Sequence, residues 1–417
     1  VDFTLKERQW RKLQRLLGRV SSGNAFQRER LQRAGFLPTS LEDFSCRTPF
    51  TTKGEIVLDQ AAHPPMGSNL TVHPNDYIRF SQTSGTTARP IQVWDTAGSW
   101  DWLLENWRRG FRMAGIERGT LAYFAFSFGP FLGFWTAFEA AASFGLRCIP
   151  GGGASTHARV RAILEHGTQV LCCTPTYALH LADVAKSEGI DLSRSSVRKI
   201  LVAGEPGGSL PAVRARLKEA WPGSEVYDHY GMSEVGPVAF TQDGMDGALR
   251  VLEDRYYVEI IAPGTDKHVP DWHLGELVLT PLGREDWPLL RYRTGDIVRA
   301  RRDADGVLWL EGGVLGRTDD MVIIRGVNVY PGAVEHAVRT VQGIGEYRVT
   351  VSSRGAMSEC SVEIEVDGDL KGGGASHLVA ELEAAFEKAF SLRIPVTPVP
   401  FRSLPRFDLK ARRWVRR

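Results

Sequence analysis

The 417-residue chain is short of several things. It has five cysteines, Cys46, Cys148, Cys172, Cys173 and Cys360, and no C-x-x-C pair. An odd count, with Cys172 and Cys173 inside an apolar run, argues against a disulfide framework and for reduced, buried thiols in a cytoplasmic protein. Net charge is nearly absent, at +2, so no overall field draws the chain to nucleic acid or to a membrane surface. No apolar run is long enough to span a bilayer. The pattern G-x-x-x-x-G-K-[ST] occurs nowhere, which excludes a Walker nucleotide loop. No internal repeat is present.

What is there reads as a folded protein of two or more domains, with 43% hydrophobic and 24% charged residues. The segment Phe3 to Val20 has the spacing of an amphipathic helix rather than the pattern of a signal peptide. From Thr120 to Glu234 short apolar runs alternate with helical periodicity. Strands are expected at Leu121–Phe126, Arg147–Pro150, Gln169–Cys173, Lys199–Ala203 and Glu225–Tyr227, with helices between them. That alternation implies a parallel sheet covered by helices, with ligands at the carboxyl ends of its strands. From Ala248 to Leu310 the texture turns β-rich, which predicts a small antiparallel or barrel-like subdomain. After Gly316 a compact α+β module follows, ending in a long helix over Ser376–Phe390. The fold class is therefore α/β, with a large N-terminal domain over residues 1–316 and a small C-terminal domain over residues 317–417.

The segment Thr83-Ser84-Gly85-Thr86-Thr87-Ala88-Arg89-Pro90 has the chemistry of a phosphate loop. Gly85 permits a turn without a Cβ in the way. Ser84, Thr86 and Thr87 offer hydroxyls, and Arg89 a charged fork. Taken alone, the octapeptide favours phosphate binding, with an ordinary polar turn as the alternative. Four further segments follow it in order: Ala203-Gly204-Glu205-Pro206, Asp228-His229-Tyr230-Gly231-Met232-Ser233-Glu234, Arg291-Tyr292-Arg293-Thr294-Gly295-Asp296, and Gly316-Arg317-Thr318-Asp319-Asp320. Ser40-Leu41-Glu42-Asp43 and Pro49-Phe50-Thr51-Thr52-Lys53 stand upstream. Cys173-Thr174-Pro175-Thr176-Tyr177 lies midway. Arg325-Gly326-Val327-Asn328-Val329-Tyr330-Pro331 and Leu404-Pro405-Arg406 with Lys410-Ala411-Arg412 stand downstream. Together, over nearly the whole chain, these resemble the AMP-forming adenylating superfamily of acyl-CoA synthetases, nonribosomal adenylation domains and luciferases, and most of all the phenylacetate–CoA ligases.

The resemblance implies roles that the chemistry of each residue suits. ATP is the expected nucleotide, its phosphates held by Ser84, Gly85, Thr86, Thr87 and Arg89. Glu234 is the expected ligand of Mg²⁺, an ion that takes one or two carboxylates with phosphate oxygens and water. Adenine and ribose fall to Gly204, Glu205, Pro206, Asp228, Tyr230, Gly231, Ser233 and Asp296. The two oxygens of Asp296 match a ribose diol, and Asp228 matches the adenine amino group. Glu234, Arg317 and Lys410 are the catalytic expectations. Lys410 corresponds to a C-terminal lysine that bridges the attacking carboxylate and the α-phosphate. Asp319 corresponds to a hinge about which the C-terminal domain swings as a lid. Of the basic tail, Arg413, Arg416 and Arg417 are expected to stay solvated.

Two departures stand out. The family loop reads Gly-Lys before its proline, where this chain has Ala88-Arg89. Related ligases carry a Cys and His zinc site, yet no cysteine lies between Cys173 and Cys360, so no structural zinc is expected. The aromatic run Phe124 to Trp135 matches the family's acid pocket. Phe126, Phe128, Gly129, Phe131, Ala203 and Gly236 are its expected lining, and a small aromatic carboxylic acid the expected substrate. Coenzyme A is the expected acceptor; a carrier-protein thiol, an amine or an alcohol are alternatives. A homodimer is common in the resembling family. Two other classes remain: a catalytically silent nucleotide- or acyl-binding relative, which the changed Ala88-Arg89 pair alone favours, and a nucleic-acid or membrane binder acting through the tail, which the near-neutral whole opposes.

Overall fold

The computed structural model describes residues 3–83, 89–205, 207–320, 322–324, 327–354, 357–366, 374–407 and 411–416. Ser84, Gly85, Thr86, Thr87, Pro206 and Lys410, all named above, lie outside them.

Four helices open the chain: α1 (Leu5–Gly23), α2 (Ala25–Ala34), α3 (Leu41–Arg47) and α4 (Lys53–Ala62). Each begins at a side chain that accepts from a free backbone N–H, namely Thr4, Asn24, Ser40 and Thr52. The upstream motifs at Ser40 and Thr52 are thus helix starts, and Thr52 with Glu55 completes a capping box. Strands β1 (Tyr77–Gln82) and β2 (Gln92–Thr96) then form an antiparallel pair. Its strands flank the candidate phosphate segment, and Thr83 and Ile91 close the ladder at 3.0 Å. The sequence reading did not foresee this hairpin.

After α5 (Ala97–Met113) the expected alternation appears: β3 (Leu121–Phe124), α6 (Leu132–Phe144), β4 (Arg147–Pro150), α7 (Thr156–Glu165), β5 (Val170–Cys173), α8 (Pro175–Ser187), β6 (Lys199–Ala203), α9 (Pro211–Ala220) and β7 (Glu225–Met232). β4, β3, β5, β6 and β7 pair in parallel in that order. The β-rich stretch supplies β8 (Gly236–Phe240), β9 (Ala248–Val251), β10 (Tyr256–Ile261), β11 (Leu274–Pro281), β12 (Tyr292–Arg302) and β13 (Leu308–Arg317). These strands are antiparallel, as expected, but they continue the parallel sheet into one of eleven strands. The join is β7, which runs five residues past its expected end at Tyr227 and turns back at Gly236, φ +84°.

A second, six-stranded sheet follows, from β14 (Val322–Ile324), β15 (Val327–Val329), α10 (Pro331–Thr340), β16 (Ile344–Arg354), β17 (Met357–Val366), α11 (Gly374–Phe390), β18 (Val396–Val399) and β19 (Trp414–Arg416). It has its own core, with Val349, Ile364, Leu382 and Phe386 fully or almost fully buried. The tail departs from expectation here. Arg413 is buried, not solvated: its Nε donates to Glu346 at 2.6 Å and its Nη1 to Glu335 at 3.3 Å. β19 pairs in parallel with β16, which carries Arg413 into the interior, and a buried guanidinium needs carboxylate partners.

One side chain fixes the site's framework. Arg284, in the β11–β12 connection, is fully buried. Its Nε donates to Asp95 of β2 at 2.7 Å, and its Nη1 donates to the carbonyls of Ser233 and Glu234 at 2.8 and 2.9 Å. Asp95→Asn leaves that cation uncompensated. Urea unfolding should show a loss of about 3–5 kcal/mol. The exposed pair Arg33–Glu29 should give less than about 1 kcal/mol on Arg33→Ala. Equal losses would contradict the framework role of Arg284.

Candidate active site

Most of the described candidate residues lie at or just past the carboxyl ends of β3, β6 and β7 and along β12 and β13. Cross-strand pairing sets Asp296 opposite Arg317. Tyr230 Oη donates to Asp296 Oδ2 at 2.6 Å, and Arg317 Nη1 donates to Oδ1 at 2.9 Å. Arg317 Nε then donates to Asp319 Oδ1 at 2.8 Å. A chain of hydrogen bonds thus runs from β7 through β12 and β13 to the expected hinge. Burial opposes charge on Arg317, but Asp296 and then Asp319 more than offset it and hold the guanidinium above its ordinary range. Burial, then Asp296, pushes the Tyr230 phenol far up, so it stays a donor.

Glu234 follows Ser233 in the β7–β8 turn and is 4% exposed. Tyr292, from the Arg291–Asp296 motif, donates to its Oε1 at 3.2 Å. No described residue donates to Oε2. Among the described residues no group of three or more His, Cys, Asp or Glu could hold a metal ion, so any ion at Glu234 must take its other ligands elsewhere. Gln82, the last residue of β1, binds this turn and the aromatic run together. Its N–H donates to Pro130 O at 2.8 Å, and its carbonyl accepts from Ser233 Oγ at 3.5 Å.

The aromatic run forms a stack. Phe126 lies parallel to Phe134 at 4.3 Å, with Phe128 5.0 Å away. Phe126 is buried, while Phe128, Gly129 and Phe131 are half-buried. Phe128 takes φ 49°, a left-handed conformation that turns the loop back over the strand ends. Ala203 ends β6 half-exposed. Gly236 does not face this space: a Cβ there would meet Leu103 at 2.2 Å, so it is a close-packing position against α5.

Other placements differ from what the motifs suggest. Asp228 turns inward, where Ser209 Oγ donates to it at 2.6 Å and the His229 N–H at 2.9 Å. Glu205 accepts from Thr176 N at 2.8 Å and from Ala411 N at 3.1 Å, so it joins the first sheet to the residue that follows Lys410. Arg89 is exposed. Sequence reasoning missed Arg284, Asp95 and Ser209, which carry no motif. Tyr292, in the Arg291–Asp296 segment, reaches the site through Glu234, a contact no local spacing predicts.

Burial raises the Asp228 carboxyl from the ordinary 3.8 to about 6, opposed by the hydrogen bonds from Ser209 and His229. A raised carboxyl favours the folded chain at low pH, and that advantage is lost as pH rises through about 6. Asp228→Asn cannot ionise. The melting temperature of the variant minus that of the wild type should therefore grow more positive between about pH 5 and about pH 8. A difference independent of pH would contradict the burial of this charge.

Comparison with known proteins agrees with this geometry. The AMP-binding enzyme family matches residues 30–281, and the AMP-binding enzyme C-terminal domain matches residues 326–417. A phenylacetate-coenzyme A ligase of Pseudomonas putida is 32% identical over 87% of this chain and 82% of its own length. A solved structure of 2-hydroxyisobutyryl-CoA ligase in the postadenylation state, bound to an acyl-AMP, superposes with a TM-score of 0.93 at 28% identity, over 99% of this chain and 89% of that one. The same ligase in its thioesterification state gives 0.73 at 29% identity, with the same coverage. The two sheets of this chain are therefore arranged as in the postadenylation form. Family matches across both parts of the chain, and a relative similar over most of its length, place this protein in the AMP-binding enzyme family as a phenylacetate–CoA ligase-like, AMP-forming acid–thiol ligase.

Proposed function

We propose that the chain activates a small aromatic carboxylic acid with ATP, releasing pyrophosphate, and passes the acyl group to coenzyme A. The observation that carries this reading is convergence around the carboxyl ends of the parallel strands, with β12 and β13 beside them. Glu234, the Tyr230–Asp296–Arg317 chain and the aromatic run are all held there, the run through Gln82.

In this reading a carboxylate attacks the α-phosphate, an acyl–oxygen–phosphorus bond forms, and pyrophosphate leaves. Both reactants are anions, so the protein's part is positioning and neutralisation. Asp296 accepts from the ribose hydroxyls, with Tyr230 and Arg317 fixing its two oxygens. Arg317 is half-buried and held charged by Asp296 and Asp319, beside the carboxylate that would take the ribose. Mg²⁺, when bound, neutralises phosphate oxygens, and Glu234 would hold it through Oε2. Lys410 brings an ammonium to the carboxylate and the α-phosphate, and Ser84, Gly85, Thr86, Thr87 and Arg89 hold the departing phosphates. Thiolysis of the adenylate by coenzyme A then releases AMP.

We read residues 317–417 as a lid that swings at Asp319 between the two half-reactions. Support comes from the separate core of the six-stranded sheet and from polar contacts at the junction. Arg216 donates to Ile344 O at 2.9 Å, and Ala411 donates to Glu205. Such contacts exchange for water at low cost.

Two measurements test the reading. Pyrophosphate release should be fastest with benzoic or arylacetic acids in a panel that also holds short branched 2-hydroxy acids, the latter included because a 2-hydroxyisobutyryl-CoA ligase shares the arrangement. Turnover confined to the aliphatic acids would sink the aromatic assignment. Lys410→Ala should slow adenylation about 100-fold or more, while thioester formation from supplied acyl-adenylate stays within about threefold. Adenylation at the wild-type rate would remove Lys410 from the mechanism.

A further inference from the structure

Beside the connection that carries Arg284, the charges around a cleft of about 350 Å³ do not balance. The cleft opens between α1, the first turn of α5, the β9–β10 turn and the β11–β12 connection. Lys12, Arg15 and Arg19 line it as one stripe of α1, opposite the buried Leu13, Leu16, Leu17 and Val20. Arg255 lines it too, and the carboxylates that face these cations are Asp254, Glu285 and Asp286. Glu285 is shared between Arg15 at 3.0 Å and Arg19 at 3.4 Å, and Arg19 also holds Asp286 at 2.6 Å. Thr96 Oγ1 donates to the other oxygen of Asp286 at 2.6 Å. Asp254 is taken by Arg109, whose Nη1 donates to its two oxygens at 2.8 and 2.7 Å. Glu105, which also approaches Arg109 at 3.6 Å, is shared with Arg108 and Arg112 at 2.7 and 3.2 Å. With Arg109, five cations thus meet three carboxylates, and Lys12 and Arg255 are the charges left over.

Neutral groups hold Arg255 in place. Its Nε donates to Asn106 Oδ1 at 2.7 Å and its Nη2 to Trp102 O at 3.1 Å, and its guanidinium lies over the Trp102 ring at 4.7 Å. No described carboxylate pairs with it, and no described residue accepts from its Nη1. Lys12 Nζ donates to the Asp254 carbonyl and stands 3.9 Å from Oδ2 of that residue, too far to bond its carboxylate. Both cations are half-buried. Burial, then the Arg109 charge, holds Arg255 below its ordinary range. Burial lowers Lys12 as well; Asp254 opposes this, while Arg255, Arg109 and Arg8 add to it. Two desolvated cations that repel each other across one cleft are relieved by an anion within it. None of the lining residues belongs to the candidate active site.

We propose that this cleft binds a phosphate group, free or as a monoester, at a site separate from those for the acid and ATP. Two surplus charges match a phosphate dianion, whereas a carboxylate would leave one over. A guanidinium already fixed in place suits phosphate oxygens, and Lys12 adds a point charge. The cleft wall from Gly283 to Asp286 includes Arg284, which holds the Ser233–Glu234 turn, so an occupied cleft adjoins the frame of the active site. The site is independent of which acid the protein activates.

The test is equilibrium dialysis of the full chain against radiolabelled inorganic phosphate at about pH 8, where phosphate carries close to two charges. The wild type should bind it, and Arg255→Gln should weaken that binding at least about tenfold, the loss of a charge-assisted hydrogen bond. Lys12→Gln, at a half-exposed position, should weaken it at least about threefold and serves if the arginine variant fails to fold. Arg33→Gln removes an exposed cation outside the cleft and should bind as the wild type does. Glycerol phosphate separates the two sources: displacement extends the site to monoesters, and failure to displace confines it to free phosphate. No binding by the wild type at millimolar phosphate overturns the inference. Binding that survives in both cleft variants also overturns it, because the phosphate then sits elsewhere, as at the candidate phosphate segment. A loss in Arg33→Gln as large as in Arg255→Gln overturns it too, because general surface charge would then suffice.

Discussion

A fully buried guanidinium must satisfy its donors inside the protein, and Arg284 does so in a way that sets the geometry of the whole site. Its fork takes the carboxylate of Asp95 from β2, and the remaining nitrogen takes two carbonyls from the turn that carries Glu234. One cation thus fixes the hairpin that leads into the candidate phosphate segment against the candidate ion ligand. Gln82 extends the same frame to the aromatic run through Pro130. These elements come from segments some fifty to two hundred residues apart in the chain, and no single helix or strand could align them.

The second sheet obeys the opposite logic. Its core is separate from the first, and its attachments combine hydrogen bonds, from Arg216 to Ile344 and from Ala411 to Glu205, with the close packing of Tyr330 on Gly316. Within it the segment carrying Lys410 is bracketed by two ion pairs with well-buried carboxylates: Arg406 with Glu365 at 2.6 Å on one side, and Arg413 with Glu346 at 2.6 Å on the other. Rigidity within each part and exchangeable contacts between them are what a two-step ligase needs, since the group that serves adenylation must withdraw before a thiol can approach. The agreement with a postadenylation structure, and the poorer one with a thioesterification structure, is what the proposed lid would give at one end of its motion.

Much of this was legible in the sequence because it rests on local rules. The alternation of short apolar runs and helical periods gave β3 to β7 and the helices between them, since parallel strands buried on both faces read as continuous apolar segments. The motifs gave Tyr230, Asp296 and Arg317, which the fold joins by direct hydrogen bonds. What was not legible depends on partners distant in the chain. Arg413 looked like part of a solvated basic tail, because only the tertiary fold brings Glu335 and Glu346 to it. β7 looked short, because the polar run Asp228, His229 and Tyr230 becomes strand-like only when Ser209, Ala239 and Asp296 satisfy it. Gly236 looked like an open wall, but the approach of Leu103 makes it a packing position. The hairpin β1–β2 gave no strong alternation, since its outer face keeps Ile78 and Phe80 exposed.

The central claim is that the acid's own carboxylate oxygen attacks the α-phosphate of ATP. It is tested most directly by following that oxygen. The aromatic acid that turns over fastest is supplied with both carboxylate oxygens isotopically labelled, together with ATP and coenzyme A, and the phosphorus-containing products are examined by mass spectrometry. Attack by that oxygen predicts AMP carrying one labelled oxygen, with unlabelled pyrophosphate. Label in orthophosphate alongside ADP, or AMP with none, would contradict it.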